Sequence, residues 1–180
     1  MNRTIQVAFC GASVAIQIVL LLLTNFFPNA TLALPALAGV MLMVIVMEIG
    51  KRWSWAVFGV SAILSFFLVS DKKVVLLYGL FLGYYPTLKA GIERAVRSQV
   101  LGWILKLLTF NAAVGLYFVL IVFVLQIPIS GIFSLAFLPA ALLVGANALF
   151  VIYDLLLSGL VIQYWNRLHP HISRLTAGKK

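Results

Sequence analysis

Acidic side chains are almost absent from this chain: Glu48, Asp71, Glu93 and Asp154 are the only four in 180 residues. Charged residues of both signs make up 9% of the sequence, against roughly 25% in a soluble domain, and 64% of residues are hydrophobic. A soluble globular fold with a charged surface is therefore excluded as the expectation. Cys10 stands alone, which rules out an intrachain disulfide and a cysteine zinc site. No HExxH, GxSxG or phosphate-loop pattern occurs, and both histidines, His169 and His171, fall in the polar tail. A pair of histidines without a third ligand is a weak metal site, so no metal and no cofactor is expected. An intramembrane hydrolase would need a base at depth, and the chain is not expected to be an enzyme.

What is present is a series of long apolar runs cut by short charged or turn-rich breaks. A helix needs roughly 20 apolar residues to cross about 30 Å of hydrocarbon, and every amide in lipid must be paired within its own segment. The runs predict an all-α bundle of six transmembrane helices in one domain over 1–180. The spans fall at 4–27, 32–49, 53–69, 74–88, 102–127 and 132–165. A basic loop covers 89–101 and a tail covers 166–180. The first run exceeds the roughly 7–15 residues of a signal peptide's apolar region, which favours an uncleaved helix over cleavage near Ala33. Pro86 should kink or end span four, which would free carbonyls near Leu82 for a ligand or water. Spans three and four are short, so either the bundle thins the bilayer there or span four continues as a helix into the basic loop. Pro139 is expected to kink span six or to mark its start.

The chain carries 13 lysines and arginines. All except Lys72 and Lys73 fall on alternate breaks, which share one side of the membrane when the spans number six. The positive-inside rule then places both termini in the cytoplasm of a multi-pass plasma-membrane protein. This distribution explains the net charge of +9 without nucleic acid, which is not an expected partner. Trp53, Trp55, Trp103, Tyr164 and Trp165 sit at the ends of runs, where interfacial anchoring is expected. Tyr84 and Tyr85 read the same way.

Two groups of residues stand out as functional candidates. In span one, Ala8 and Ala12 share a helix face, with Gly11 and Ala15 beside them. Small residues at this spacing allow close approach of another helix, either within the chain or from a separate subunit. In span six, Asp154 lies within an apolar stretch. A carboxylate at that depth costs at least about 2.5 kcal/mol uncompensated and should face the bundle interior. Lys106, a turn into span five, is its expected partner. Asn147 lies two turns from Asp154 on the same face. With Asn111 and Tyr117 these residues outline a polar track between spans five and six, read either as a cavity for a polar solute or as a structural ion pair with satisfied amides. The remaining acids have local readings. Glu48 is expected to be neutralised by Lys51 three residues on, Lys89 to pair with Glu93 four residues on, and Asp71 to cap span four.

The short chain, the six spans with both ends inside, and the Ala8-x-x-x-Ala12 face together resemble the substrate-binding S components of energy-coupling factor transporters, a bacterial family. The resemblance implies docking of span one, through Ala8, Gly11, Ala12 and Ala15, on a coupling membrane subunit joined to two cytoplasmic ATPases. It also implies a small-molecule solute held by the later helices in a pocket that opens outward. Asn111, Tyr117 and Asn147 are the subset compatible with such a pocket, whereas the charged residues lie toward the inner side. Two other expectations stand beside this one: a non-transporting envelope-assembly scaffold, similar to small rod-shape membrane proteins, and an independent carrier or channel.

Overall fold

The computed structural model describes residues 3–126 and 138–167. The described residues form helices and turns with no strand. In chain order they are α1 (Arg3–Leu23), α2 (Ala33–Glu48), α3 (Lys51–Leu68), α4 (Lys72–Leu77), α5 (Tyr85–Ala95), α6 (Gln99–Phe123) and α7 (Leu138–Arg167). A short 3-10 turn at Pro28–Ala30 joins α1 to α2, and a π turn at Tyr78–Leu82 joins α4 to α5. Three helical segments, Arg3–Leu23, Gln99–Phe123 and Leu138–Tyr164, are long and apolar enough to cross a membrane; Ala33–Glu48 is apolar and shorter.

Several boundaries move from their expected places for local reasons. α1 stops at Leu23, ahead of Pro28, because Thr24 folds its hydroxyl back onto the Leu21 carbonyl at 2.6 Å and the chain turns there. α2 ends where Gly50 takes φ +118°, a left-handed backbone that suits glycine, with its amide on the Ile45 carbonyl. The segment 89–101 is not a loop. α5 continues through Lys89 and Glu93 to Ala95, and α6 already starts at Gln99. Asp71 caps α4 by accepting the Lys73 amide at 3.0 Å. Lys72 folds back to donate to the Phe66 and Val69 carbonyls at the end of α3. The described part of α7 begins one residue before Pro139. The break at 128–131, the start of span six, the His169–His171 pair and the tail basic residues beyond Arg167 lie outside the described residues, as does the side chain of Trp165.

The π turn is the pivot between α4 and α5. The Gly83 amide reaches the Tyr78 carbonyl at 2.7 Å, an i to i+5 bond. Pro86 sits in the first turn of α5, where its missing N–H does least harm. The Leu82 carbonyl thereby loses its donor four residues on. It is not open to a ligand, because Gly39 of α2 packs against it so closely that any Cβ there would overlap the oxygen.

The packing of α3 is inverted relative to a helix of a soluble protein. α3 buries Ser54, Val57, Ser61 and Ser65, and exposes Trp55, Val60, Ile63, Leu64, Phe66, Phe67 and Leu68. A helix in water would present the opposite faces. The buried hydroxyls of α3 are all paired. Ser61 meets the Tyr78 hydroxyl at 2.8 Å, Tyr78 donates to Gln17 at 2.9 Å, and Ser54 meets Thr87 at 2.5 Å. Between these polar layers lie apolar clusters. Cys10, Leu42, Ile45 and Val57 join α1, α2 and α3. Phe81, Tyr85, Phe110 and Phe150 join the π turn to α5, α6 and α7, with the Phe110 and Phe150 rings stacked 4.6 Å apart.

Candidate functional site

α5, α6 and α7 converge on one charged cluster. Tyr85, Lys89 and Glu93 are spaced by four and line one face of α5. Lys106 enters from α6, and Asp154 and Ser158, again four apart, enter from α7. Asp154 is 1% exposed, Lys89 4% and Lys106 6%, whereas half of the Glu93 side chain reaches the surface. Lys89 Nζ donates to Asp154 Oδ1 at 2.5 Å and to Ser158 Oγ at 2.8 Å. The Tyr85 hydroxyl donates to the same Oδ1 at 2.5 Å. Lys106 Nζ reaches Asp154 Oδ2 at 3.2 Å and Glu93 Oε1 at 2.8 Å. Glu93 also lies 3.2 Å from Lys89. Two lysines and two carboxylates thus form a closed, formally neutral set with the Asp154 carboxylate at its centre. Neutrality and dense hydrogen bonding are what allow four charges to sit at a mostly buried position.

The structure brings together some of the expected site residues and separates others. Asp154 and Lys106 meet in the cluster. Asn111 and Asn147 meet in a second layer, exchanging amide bonds of 3.0 and 3.1 Å, and each also donates to its own helix, at the Leu107 and Leu143 carbonyls. The aromatic pair Phe110 and Phe150 lies in sequence between these two layers and packs in the core, so the polar groups form two separate layers and not a continuous track. Tyr117 belongs to neither. It lines a pocket of about 200 Å³ at the other end of the bundle with Thr31, Asp71 and Lys73. An adjoining polar cavity of about 500 Å³ is lined by Thr24, Asn25, Thr31, Ser70 and Asp71.

Lys89 and Tyr85 are the site residues that the sequence reading missed. Lys89 does pair with Glu93, but its shorter contact is with Asp154, and Tyr85 is a buried donor instead of an interfacial anchor. The four-residue spacing of Tyr85, Lys89 and Glu93 was the available signal. Glu48 also differs from expectation. It accepts the Tyr164 hydroxyl at 2.5 Å, which pins the end of α2 to the end of α7, and makes no ion pair with Lys51 among the described residues. Tyr164 is consequently buried and not a surface anchor.

On α1, the face carrying Ala8, Gly11, Ala12 and Ala15 is exposed, and a Cβ added at Gly11 would meet nothing within 4 Å. The opposite face, with Cys10, Ser13, Gln17, Ile18 and Leu21, is the one packed on α2 and α3. Among the described residues, no helix of the same chain packs on the small-residue face. Among the described residues, no group of three His, Cys, Asp or Glu side chains could hold a metal ion.

No family model, no curated protein and no solved structure matches the chain.

Proposed function

We propose that the chain is a six-span plasma-membrane protein with both termini in the cytoplasm, acting as the solute-binding subunit of an uptake transporter of the energy-coupling factor type. The observation that carries this reading is the bare small-residue face of α1. Ala8, Gly11, Ala12 and Ala15 lie uncovered on the side of α1 turned away from α2 and α3, beside the exposed Ile5, Val7, Ile16 and Val19. In lipid, where apolar contact alone gives no preference for protein over acyl chain, close approach between small residues drives helix association. A coupling membrane subunit, itself joined to cytoplasmic ATPases, is the partner proposed for that face.

Three further features support the reading. The inverted packing of α3 suits a hydrocarbon surround. Lys51, Lys89, Arg94, Arg97 and Lys106 gather at the end of the bundle where α5 turns into α6, opposite Lys72 and Lys73, as a cytoplasmic end requires. The polar cavities near Asp71 and Tyr117 at the opposite end would face outward and offer space for a polar solute. The test is co-purification with a coupling subunit and ATPases, together with mass spectrometry of bound small molecules. Capture should be lost in the Ala8→Trp, Ala12→Trp double variant while its melting stays unchanged. Equal capture by that variant would overturn the docking role.

A second reading, a non-transporting scaffold of the cell envelope, draws on the closed charge cluster. Every charge in it is spent on another charge of the same chain, which suits a rigid lock on α5, α6 and α7. Capture of cell-wall or division proteins, without ATPases, would favour the scaffold. Solute flux into liposomes containing the purified chain alone would favour an independent carrier.

A further inference from the structure

A cavity of about 410 Å³ opens at the corner between α5 and α6, beside the charge cluster and at the end opposite Asp71 and Tyr117. Glu93, Arg97, Ser98, Gln99, Trp103 and Lys106 supply most of its polar wall, and Gly102 is among the other lining residues. Its inventory is rich in donors. Lys106 Nζ has three hydrogens and two protein acceptors, Glu93 and Asp154, and lies 5.1 Å from the centre of the Trp103 ring. Arg97 is exposed and makes no ion pair among the described residues. The Trp103 indole N–H and the Gln99 amide are further donors. Ser98 precedes α6 without capping it, leaving the first-turn amides without a side-chain acceptor. Against these stands one carboxylate, Glu93, already held by Lys89 and Lys106. Because the four-residue cluster is neutral, Arg97 is the uncompensated charge of the cavity wall.

We propose that this cavity binds a phosphate oxyanion, carried by the headgroup of an anionic lipid or by free phosphate. Arg97 offers a planar, two-pronged donor set that matches phosphate oxygens, and the start of α6 and Lys106 line the same cavity. Trp103 places an amphipathic ring at the rim, where a lipid glycerol would lie. The free-phosphate source stands without a bilayer; the lipid source rests on the membrane reading above.

Titrations of the purified full chain in detergent separate the sources. The probes are dioleoyl phosphatidylglycerol, dioleoylglycerol with the same acyl chains and no phosphate, and inorganic phosphate. Two variants report on the cavity while sparing the charge cluster. Arg97→Gln removes the exposed cation. Gly102→Leu fills the cavity from a position where a Cβ meets nothing within 4 Å. Arg97→Gln should weaken binding at least roughly tenfold, as loss of a charge-assisted hydrogen bond implies. Gly102→Leu should abolish it, with melting unchanged in both. Binding of phosphatidylglycerol and not dioleoylglycerol assigns the lipid source, and binding of inorganic phosphate alone assigns the free anion; either supports the site. Binding of neither phosphate probe, equal binding of dioleoylglycerol, or binding by Arg97→Gln as tight as by the unsubstituted chain would overturn it. Should Gly102→Leu fail to fold, Arg97→Gln decides alone. Alkaline extraction from membranes tests the bilayer reading separately, so a soluble chain that still binds phosphate would sink that reading and leave the site standing.

Discussion

Lys89 and Asp154 lie 65 positions apart in sequence, and their charged atoms meet at 2.5 Å between α5 and α7. The contact ties a helix that begins just after a π turn to the last of the described helices. Lys106 approaches the other oxygen of the same carboxylate, so one acid from α7 holds α5 and α6 together. Asp154 is thus the member whose removal unpairs the most charge.

Replacing Asp154 with leucine leaves two buried ammonium groups sharing the half-exposed Glu93. Breaking a buried pair on one side costs about 3–5 kcal/mol, and a loss of that order is expected in detergent melting. Removing one lysine as well restores the balance. Asp154→Leu with Lys106→Leu keeps Lys89 with Glu93 at 3.2 Å, and Asp154→Leu with Lys89→Leu keeps Lys106 with Glu93 at 2.8 Å. Both double variants should melt above the single one. If neither does, charge balance is not what holds the three helices.

Tyr85 and Tyr153 form a controlled comparison. Both are tyrosines of the core, their rings 5.8 Å apart. The Tyr85 hydroxyl donates to the Asp154 carboxylate, whereas the Tyr153 hydroxyl is buried with no partner among the described residues. Tyr85→Phe should therefore cost about 1.5–3 kcal/mol, the usual worth of a hydrogen bond to a charged group. Tyr153→Phe should be neutral or stabilising, because it removes an unsatisfied polar atom. Equal losses in the two melts would show that the Asp154 bond carries no special weight.

How much of this was legible in the sequence follows from range. All-helical architecture and most helix limits come from apolar run length, which is a local property, and Asp71 announced its cap by preceding an apolar run. The meeting of Lys106 with Asp154 could be anticipated because both are isolated charges at similar depth on consecutive runs. Lys89 was harder. A local partner, Glu93, explains it adequately, and only the approach of α7 reveals that Asp154 is nearer. Glu48 failed in the same way, with Lys51 close in sequence and Tyr164 close in space. The π turn also left no local trace beyond Pro86. It depends on Gly39 of another helix leaving room for the Leu82 carbonyl.

That dependence makes Gly39 a sensitive position. Gly39→Ala would drive a methyl into the Leu82 carbonyl and toward the Tyr153 hydroxyl, forcing α2 away from the π turn. Overpacking of this kind costs roughly 1–3 kcal/mol. Gly11→Ala and Gly102→Ala are the controls, since a Cβ at either meets nothing within 4 Å. Melting of Gly39→Ala should fall clearly below both. If all three behave alike, the close approach of α2 to Leu82 is not a constraint on the fold.

Asn111 and Asn147 supply the last test, because their bond is reciprocal and each residue has a fallback. Either amide, left alone, still donates to its own helix at the Leu107 or Leu143 carbonyl, so a single alanine substitution unpairs only part of the partner. Hydrogen bonds between helices in a bilayer typically couple by about 0.6 kcal/mol and at most about 1.7 kcal/mol. A double-mutant cycle with Asn111→Ala and Asn147→Ala should give a coupling inside that range, well below the cost of Asp154→Leu. The same ordering is expected for the two layers on physical grounds: the amide pair is neutral and partly exposed, the carboxylate is charged and closed off. A coupling of zero would mean that the pair is incidental to α6–α7 contact. A coupling above the Asp154 effect would shift the anchor of α7 from the charge cluster to the amides.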